Sequence, residues 1–219
     1  EAAESLTSVG CEFYPLALPD SPGELGSTGF AVSNVSNQPA TVSVSTAAGQ
    51  VAQQVVAPGD THMFQVSGNK LSLHTGKTQK GYVIESDQPL QVYQFLPPFA
   101  SVTADASLVY PRQALGVKHR VVTYNDLNNY YGNGENGRQY VAVSAVEDGT
   151  TVTFQLANPG SETVPGGGLP MLDKDDGPDS MQVEMDRFET LVVVADNANH
   201  DTNAFNVELL SLIHISEPT

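Results

Sequence analysis

Residues 140–154 read Tyr-Val-Ala-Val-Ser-Ala-Val-Glu-Asp-Gly-Thr-Thr-Val-Thr-Phe, two alternating apolar runs broken by Glu147-Asp148-Gly149. Successive side chains of a strand point to opposite faces, so Val141, Val143 and Ala145 share one face and Tyr140, Ala142 and Ser144 the other. Asp148-Gly149 supplies the positive φ angles of a tight turn, and β-branched Thr150, Thr151, Val152 and Thr153 favour a second extended run. The stretch predicts a β-hairpin. A second stretch echoes it about 110 residues upstream: Phe30-Ala-Val-Ser-Asn-Val-Ser-Asn-Gln-Pro-Ala-Thr-Val-Ser-Val44, again two alternating runs around a polar turn. Val32-Ser33 answers Val143-Ser144 and Thr41-Val42 answers Thr151-Val152, which predicts one structural unit used twice.

Several short motifs occur in an order that resembles one known family. They are Gly10-Cys11-Glu12-Phe13, Asp87-Gln-Pro-Leu-Gln-Val-Tyr-Gln-Phe95, Asp105-Ala-Ser-Leu108 ahead of Pro111, and Val146-Glu-Asp-Gly-Thr-Thr-Val152. Together, from about Gly10 to Leu209, they look like the N-terminal domain of IgGFc-binding-type proteins, and more narrowly its bacterial, myxobacterial-type versions. The motifs are structural rather than catalytic. The resemblance implies an extracellular or cell-surface setting and a disulfide partner for Cys11 that this chain lacks; it does not carry the Fc ligand over.

The 219 residues allow one large or two small domains, and two all-β units of roughly 100 residues each fit the repeat. Nine Lys+Arg against 25 Asp+Glu give a net charge of −16, with no basic patch, which disfavours nucleic acid and anionic membranes because both need clustered cations. The 14 Pro and 19 Gly punctuate short β-rich runs, no helical period competes, and no apolar run is long enough to span a membrane. Cys11 is alone, open to reading as a structural thiol, half of a missing disulfide, or a lipid anchor; Glu1–Val9 holds no apolar segment of the kind an anchor signal needs.

The expected fold class is all-β: two related antiparallel β-sandwich (Ig-like) units, the second incomplete. Residues 1–29 form a leader and first edge segment, with Phe13, Leu16 and Leu18 as a short edge strand. Residues 30–105 form the first unit, with strands near 30–35, 40–46, 50–56 and 61–66, a loop near Gly68–Lys80, and a hairpin of Tyr82–Ile84 with Leu90–Phe95 about Asp87-Gln-Pro89. Pro97-Pro98 cannot donate ladder hydrogen bonds and marks the boundary. Residues 106–210 form the second unit; Ser107–Tyr110 and His119–Tyr124 are strands free to join either unit. Met181–Met185 and Thr190–Ala195 are its later strands, and the counterpart of Tyr82–Phe95 is missing. Residues 211–219, Ser-Leu-Ile-His-Ile-Ser-Glu-Pro-Thr, resemble a translated sequencing adaptor and are set aside as a non-native tail, which leaves the second unit with an open edge and predicts poor solubility.

Two loops are candidate sites. Asn125–Gly137 is rich in turn formers and too long for a tight turn. Within it Asn129, Tyr130, Tyr131 and Asn133 combine aromatic area with hydrogen-bonding amides, a composition suited to protein or glycan contact. The second is Asp173-Lys-Asp-Asp-Gly-Pro-Asp179, where Asp173, Asp175, Asp176 and Asp179 are hard oxygen ligands of the kind calcium takes. The spacing departs from an EF-hand, with Gly177 at position 5 and no closing Glu at 12, so a solvated acidic turn is the competing reading.

Catalytic constellations are lacking in the sequence. There is no Gly-x-Ser-x-Gly, His-Glu-x-x-His or phosphate-loop motif, and no Cys pair. Gly132-x-Gly134-x-x-Gly137 has dinucleotide spacing without the strand before it and the helix after it that would give it meaning. Taken with the family resemblance, which implies the extracellular setting, this predicts an extracellular or cell-surface β-sandwich binding or adhesion module for a protein or glycan, with no cofactor unless calcium stabilises it. A structural spacer and a calcium-stabilised adhesion module are the alternatives.

Overall fold

A computed structural model describes residues 7–18, 28–95, 106–123, 139–157, 159–196 and 207–213. Among them no α-helix occurs, and fourteen strands run in chain order: β1 Val9–Phe13, β2 Thr28–Asn34, β3 Ala40–Thr46, β4 Gly49–Val56, β5 Thr61–Val66, β6 Gly76–Thr78 and β7 Val83–Phe95 in the first part. They continue with β8 Ala106–Val109, β9 Lys118–Val121, β10 Tyr140–Ser144, β11 Thr150–Leu156, β12 Ser180–Met185, β13 Thr190–Val194 and β14 Val207–Ile213. All their pairings are antiparallel. The chain divides into two compact units: Glu1–Leu71 with Gln79–Leu115, and Ser72–Thr78 with Gly116–Thr219.

In the first unit β7 is the strand on which everything meets. Its first half pairs with β3 on one edge and its second half with β2, while β1 and β8 also pair with it. β4 extends the β3 side and β5 the β2 side. Side chains of both halves close on one core, in which Phe30, Val32, Val42, Val44, Ile84, Leu90 and Val92 are fully buried. Each such side chain contributes roughly 1.5–3 kcal/mol through removal from water.

The expected hairpin at Tyr82–Phe95 is instead this single 13-residue strand. Pro89 misleads because it has no N–H to give, yet it falls where none is required: the β3 ladder ends at Ser86 and the β2 ladder begins at Leu90. In the gap the Asp87 carboxylate accepts the Thr41 N–H at 2.7 Å.

The second unit is built from two sheets, β12-β11-β14-β9 and β10-β13-β6. Val152, Phe154, Leu156, Val183 and Met185 from the first meet Val141, Leu191, Val193 and Ala195 around the second core. Tyr140–Phe154 is accordingly not a hairpin. β10 pairs with β13 and β11 with β12 and β14, so Asp148-Gly149 is a corner that carries the chain from one layer to the other. Both runs bury one face, as alternation requires, but they bury it against each other across the core. Gly149 does adopt positive φ, +69°. The corner is tied to the β12–β13 corner beside it, where Gly149 N donates to Asp186 Oδ1 at 3.0 Å and Arg187 N to Asp148 Oδ1 at 2.9 Å.

The repeat between the units holds in register. Ser33 faces Thr61 as Ser144 faces Thr190, Ala40 faces Val56 as Thr150 faces Met185, and the backbone of Ser211 stands against Val152 as Ser86 stands against Val42. The corners correspond too: Asn34 N donates to Asp60 O at 3.0 Å and Ala145 N to Glu189 O at 3.0 Å. β14 is thus the counterpart of the first half of β7, a strand that the sequence reading held to be missing, and Ser211–Ile213 belong to its ladder. β8 joins the first unit through β7, and β9 the second through β14.

Candidate binding surface

The acidic turn is placed by the connection between β11 and β12. Fully buried Thr163 pins it: Thr163 N donates to Leu172 O at 2.9 Å, Leu172 N donates back to Thr163 Oγ1 at 2.8 Å, and Leu172 inserts into the core. The chain emerges at once into Asp173. Its Oδ1 accepts the N–H groups of Asp175 (2.9 Å) and Asp176 (3.1 Å), the self-bonded turn that aspartate favours. Asp175 Oδ2 accepts Gly160 N at 2.8 Å. Lys174 Nζ reaches Asp179 Oδ2 at 2.7 Å, and this hydrogen bond, against a smaller opposing desolvation, holds the Asp179 carboxyl below its ordinary range. Asp173, Asp175, Asp176 and Asp179 therefore share one turn, with two carboxylates serving backbone N–H groups and one serving a lysine. Among the described residues no group of three or more His, Cys, Asp or Glu stands where it could hold a metal ion.

Asn129, Tyr130, Tyr131 and Asn133 lie outside the described residues, as does the Gly132–Gly137 spacing. Their flanks are described. Thr123, just beyond β9, donates a short hydrogen bond to the Gln139 side chain, and Gln139 O accepts Ala195 N at 2.9 Å. Thr123 and Gln139, which flank that stretch, are thereby joined, and Gln139 is buried. Tyr140 follows immediately, and burial pushes its phenol up to about 12.

Sequence reasoning missed a contact of the second unit entirely. Within the expected Gly68–Lys80 loop, Gly76–Thr78 pairs with β13 as β6, Thr75 Oγ1 accepts Val194 N at 3.1 Å, and Lys77 Nζ reaches Glu189 at 2.9 Å. The glycine run 166–168 packs here: a Cβ on Gly166 would stand 2.5 Å from Thr75 O. The signal was present in those consecutive glycines, since a backbone that must approach another backbone selects glycine.

Cys11 is free and exposed; partial desolvation, and then the Asp87 carboxylate, push its thiol up. Beside it Glu12 takes hydrogen bonds from Tyr14 and, at 3.3 Å, Arg112, which fastens β1 to the short turn at Arg112–Ala114. Among the described residues no helix is long and apolar enough to cross a membrane.

The model of the IgGFc binding protein family matches residues 105–207. That span runs from the start of β8 through β13 and so carries most of the second unit. No curated protein matches the chain.

Proposed function

We propose that this chain is a non-enzymatic binding module that works outside the cell and recognises a protein or glycan there. The observation that carries the reading is the family match over residues 105–207, because the family is one of binding proteins and the matched span includes Asn129, Tyr130, Tyr131 and Asn133. Asn129, Tyr130, Tyr131 and Asn133 are the proposed contacts. Aromatic and amide-rich stretches between the strands of a β-sandwich are a general solution to recognition. The net charge of −16 turns nucleic acid away and favours ligands that present cationic or neutral surface.

The test is a screen of the immobilised chain against a glycan array and a panel of extracellular proteins, with the Fc fragment named by the family among them. A ligand whose affinity falls at least about tenfold in Tyr130→Ala/Tyr131→Ala, with the melting temperature unchanged, supports the reading. A chain that binds nothing, or binds equally well without the tyrosines, acts as a spacer or through another surface.

A further inference from the structure

We propose that the outer edge of β4 is a dimer interface, at which two copies of this chain pair their β4 strands antiparallel across a twofold axis at Gln54. β4 ends its sheet, and among the described residues its one ladder partner is β3. Residues 28–95, which contain both strands, are described without a break; the other stretches of the first unit precede β1 or lie in sequence between β1 and β2 or between β7 and β8. The strand stands in solvent, with Val55 57% and Val51 52% exposed.

The second unit ends on the same edge and guards it. There β12 stands to β11 as β4 does to β3: Thr151 faces Glu184 where Thr41 faces Val55, and Thr153 faces Gln182 where Ser43 faces Gln53. Exposed Glu184 thus occupies the position that Val55 holds in β4, and a charge is the usual means of keeping an edge strand from pairing. β4 has no such guard. Residues 25–59 contain no Asp, Glu, Lys, Arg or His, although charged residues make up 16% of a chain whose net charge is −16. A basic partner would be drawn to carboxylates, which β4 lacks. Two equally acidic copies, by contrast, meet at least electrostatic cost along an uncharged edge.

The backbone groups suit a symmetric pairing. Thr41 N donates to Asp87 Oδ1, toward the β7 side of β3, so Thr41 and Val55 do not bond each other and the Val55 N–H and C=O point outward. By alternation those of Gln53 do the same. In the single chain the Val55 carbonyl is met by Gln54 Nε2 at 3.1 Å. With the axis at Gln54, Gln53 of each copy faces Val55 of the other and the pair exchanges both main-chain bonds, while the two Gln54 amides meet across the axis in place of that internal bond. Val51 is an extra residue between Gln50, which faces Ser45, and Ala52, which faces Val44, so this bulge confines regular pairing to residues 52–56. The surface is distinct from the proposed tyrosine contacts, and its test does not use them.

The test is sedimentation of the full chain over about 1–200 μM at about 20 and 300 mM NaCl, with amide hydrogen exchange at both ends of the concentration range. The expected result is a monomer–dimer equilibrium that the higher salt tightens at least about threefold, because screening relieves the repulsion between acidic copies. The Gln53 and Val55 amides should be protected at high concentration and released on dilution. Val55→Glu, which installs the side chain found at this position in the second unit, should weaken the dimer at least about tenfold, and uncharged, β-branched Val55→Thr should leave it within about threefold. Should Val55→Glu fail to fold, the exchange map of the unaltered chain decides alone. A monomer throughout, open-ended aggregation, a dimer that salt loosens or that Val55→Glu leaves intact, or protection centred on another strand would each overturn the proposal.

Discussion

Tyr140 shows how one side chain makes the stability of the second unit depend on alkaline pH. Its phenol is held at about 12 against an ordinary 10.0 because the folded chain withholds water from the phenolate. The unfolded chain ionises through pH 10, while the folded chain keeps the proton until about 12. The stabilisation is therefore fully present below pH 10 and is lost as pH rises across that window, about 2–3 kcal/mol in all. Tyr82, whose phenol burial also raises, adds a loss of the same sign, so the contribution of Tyr140 is isolated by difference. Urea unfolding at pH 9 and pH 11.5 should show a smaller loss in Tyr140→Phe than in the unaltered chain. Asp179 works in the opposite direction: with its carboxyl lowered chiefly by the Lys174 hydrogen bond, its contribution is present above the ordinary carboxylate range and disappears as pH falls through the lowered value. In Lys174→Met, an NMR titration should find Asp179 moved back up. Because that carboxylate is already engaged and Asp173 serves its own turn, saturating calcium should leave the melting temperature unchanged; a rise with calcium that Asp175→Asn/Asp176→Asn abolishes would establish the metal site instead.

At the scale of elements, the glycine run gives the sharpest expectation. Gly166→Ala would drive a Cβ to 2.5 Å from the Thr75 carbonyl oxygen, a backbone atom that cannot swing aside, whereas Gly149 has open space around its absent Cβ but positive φ. Overpacking of this kind costs about 1–3 kcal/mol, and denaturant unfolding of Gly166→Ala should show it as a lower midpoint. The same comparison explains what was legible in the sequence. Strand positions were, because alternation at Ala40–Thr46 or Ser180–Met185 reports which face is buried. Partners were not, because alternation is identical whether the next run pairs alongside or packs across the core. Tyr140–Phe154 and Tyr82–Phe95 were both read as hairpins on that account, one being a layer-to-layer corner and the other a strand that changes neighbours at Pro89. In the acidic turn the spacing revealed the carboxylates and hid their occupation, since Gly160 and Lys174, which engage two of them, are specified only by the folded connection. β6 was invisible for a different reason: Gly-Lys-Thr has no pattern of its own and is a strand only because β13 offers an edge.

At the scale of the whole molecule, sequence order and structural units part company. The repeat suggests that the chain could be cut near residue 105 into two halves, but the second unit also contains Ser72–Thr78, donated from within the first half. That segment contributes three ladder positions, from Gly76 facing Val192 to Thr78 facing Thr190, the Thr78–Thr190 hydroxyl contact at 2.8 Å, and the Lys77 ion pair with Glu189. It also covers the far edge of β13, so that with β6 removed Thr190–Val192 would expose apolar strand backbone. A fragment of residues 106–219 should therefore melt at a lower temperature than the second unit does in the full chain, and should associate more readily through the uncovered edge. Adding a peptide of residues 72–80 should restore part of the lost stability, by an amount that depends on its concentration as any ligand of the native state must. Equal melting of the fragment and the intact chain would show that β6 rests on β13 without supporting it. The units would then be separable at the point where the repeat divides them.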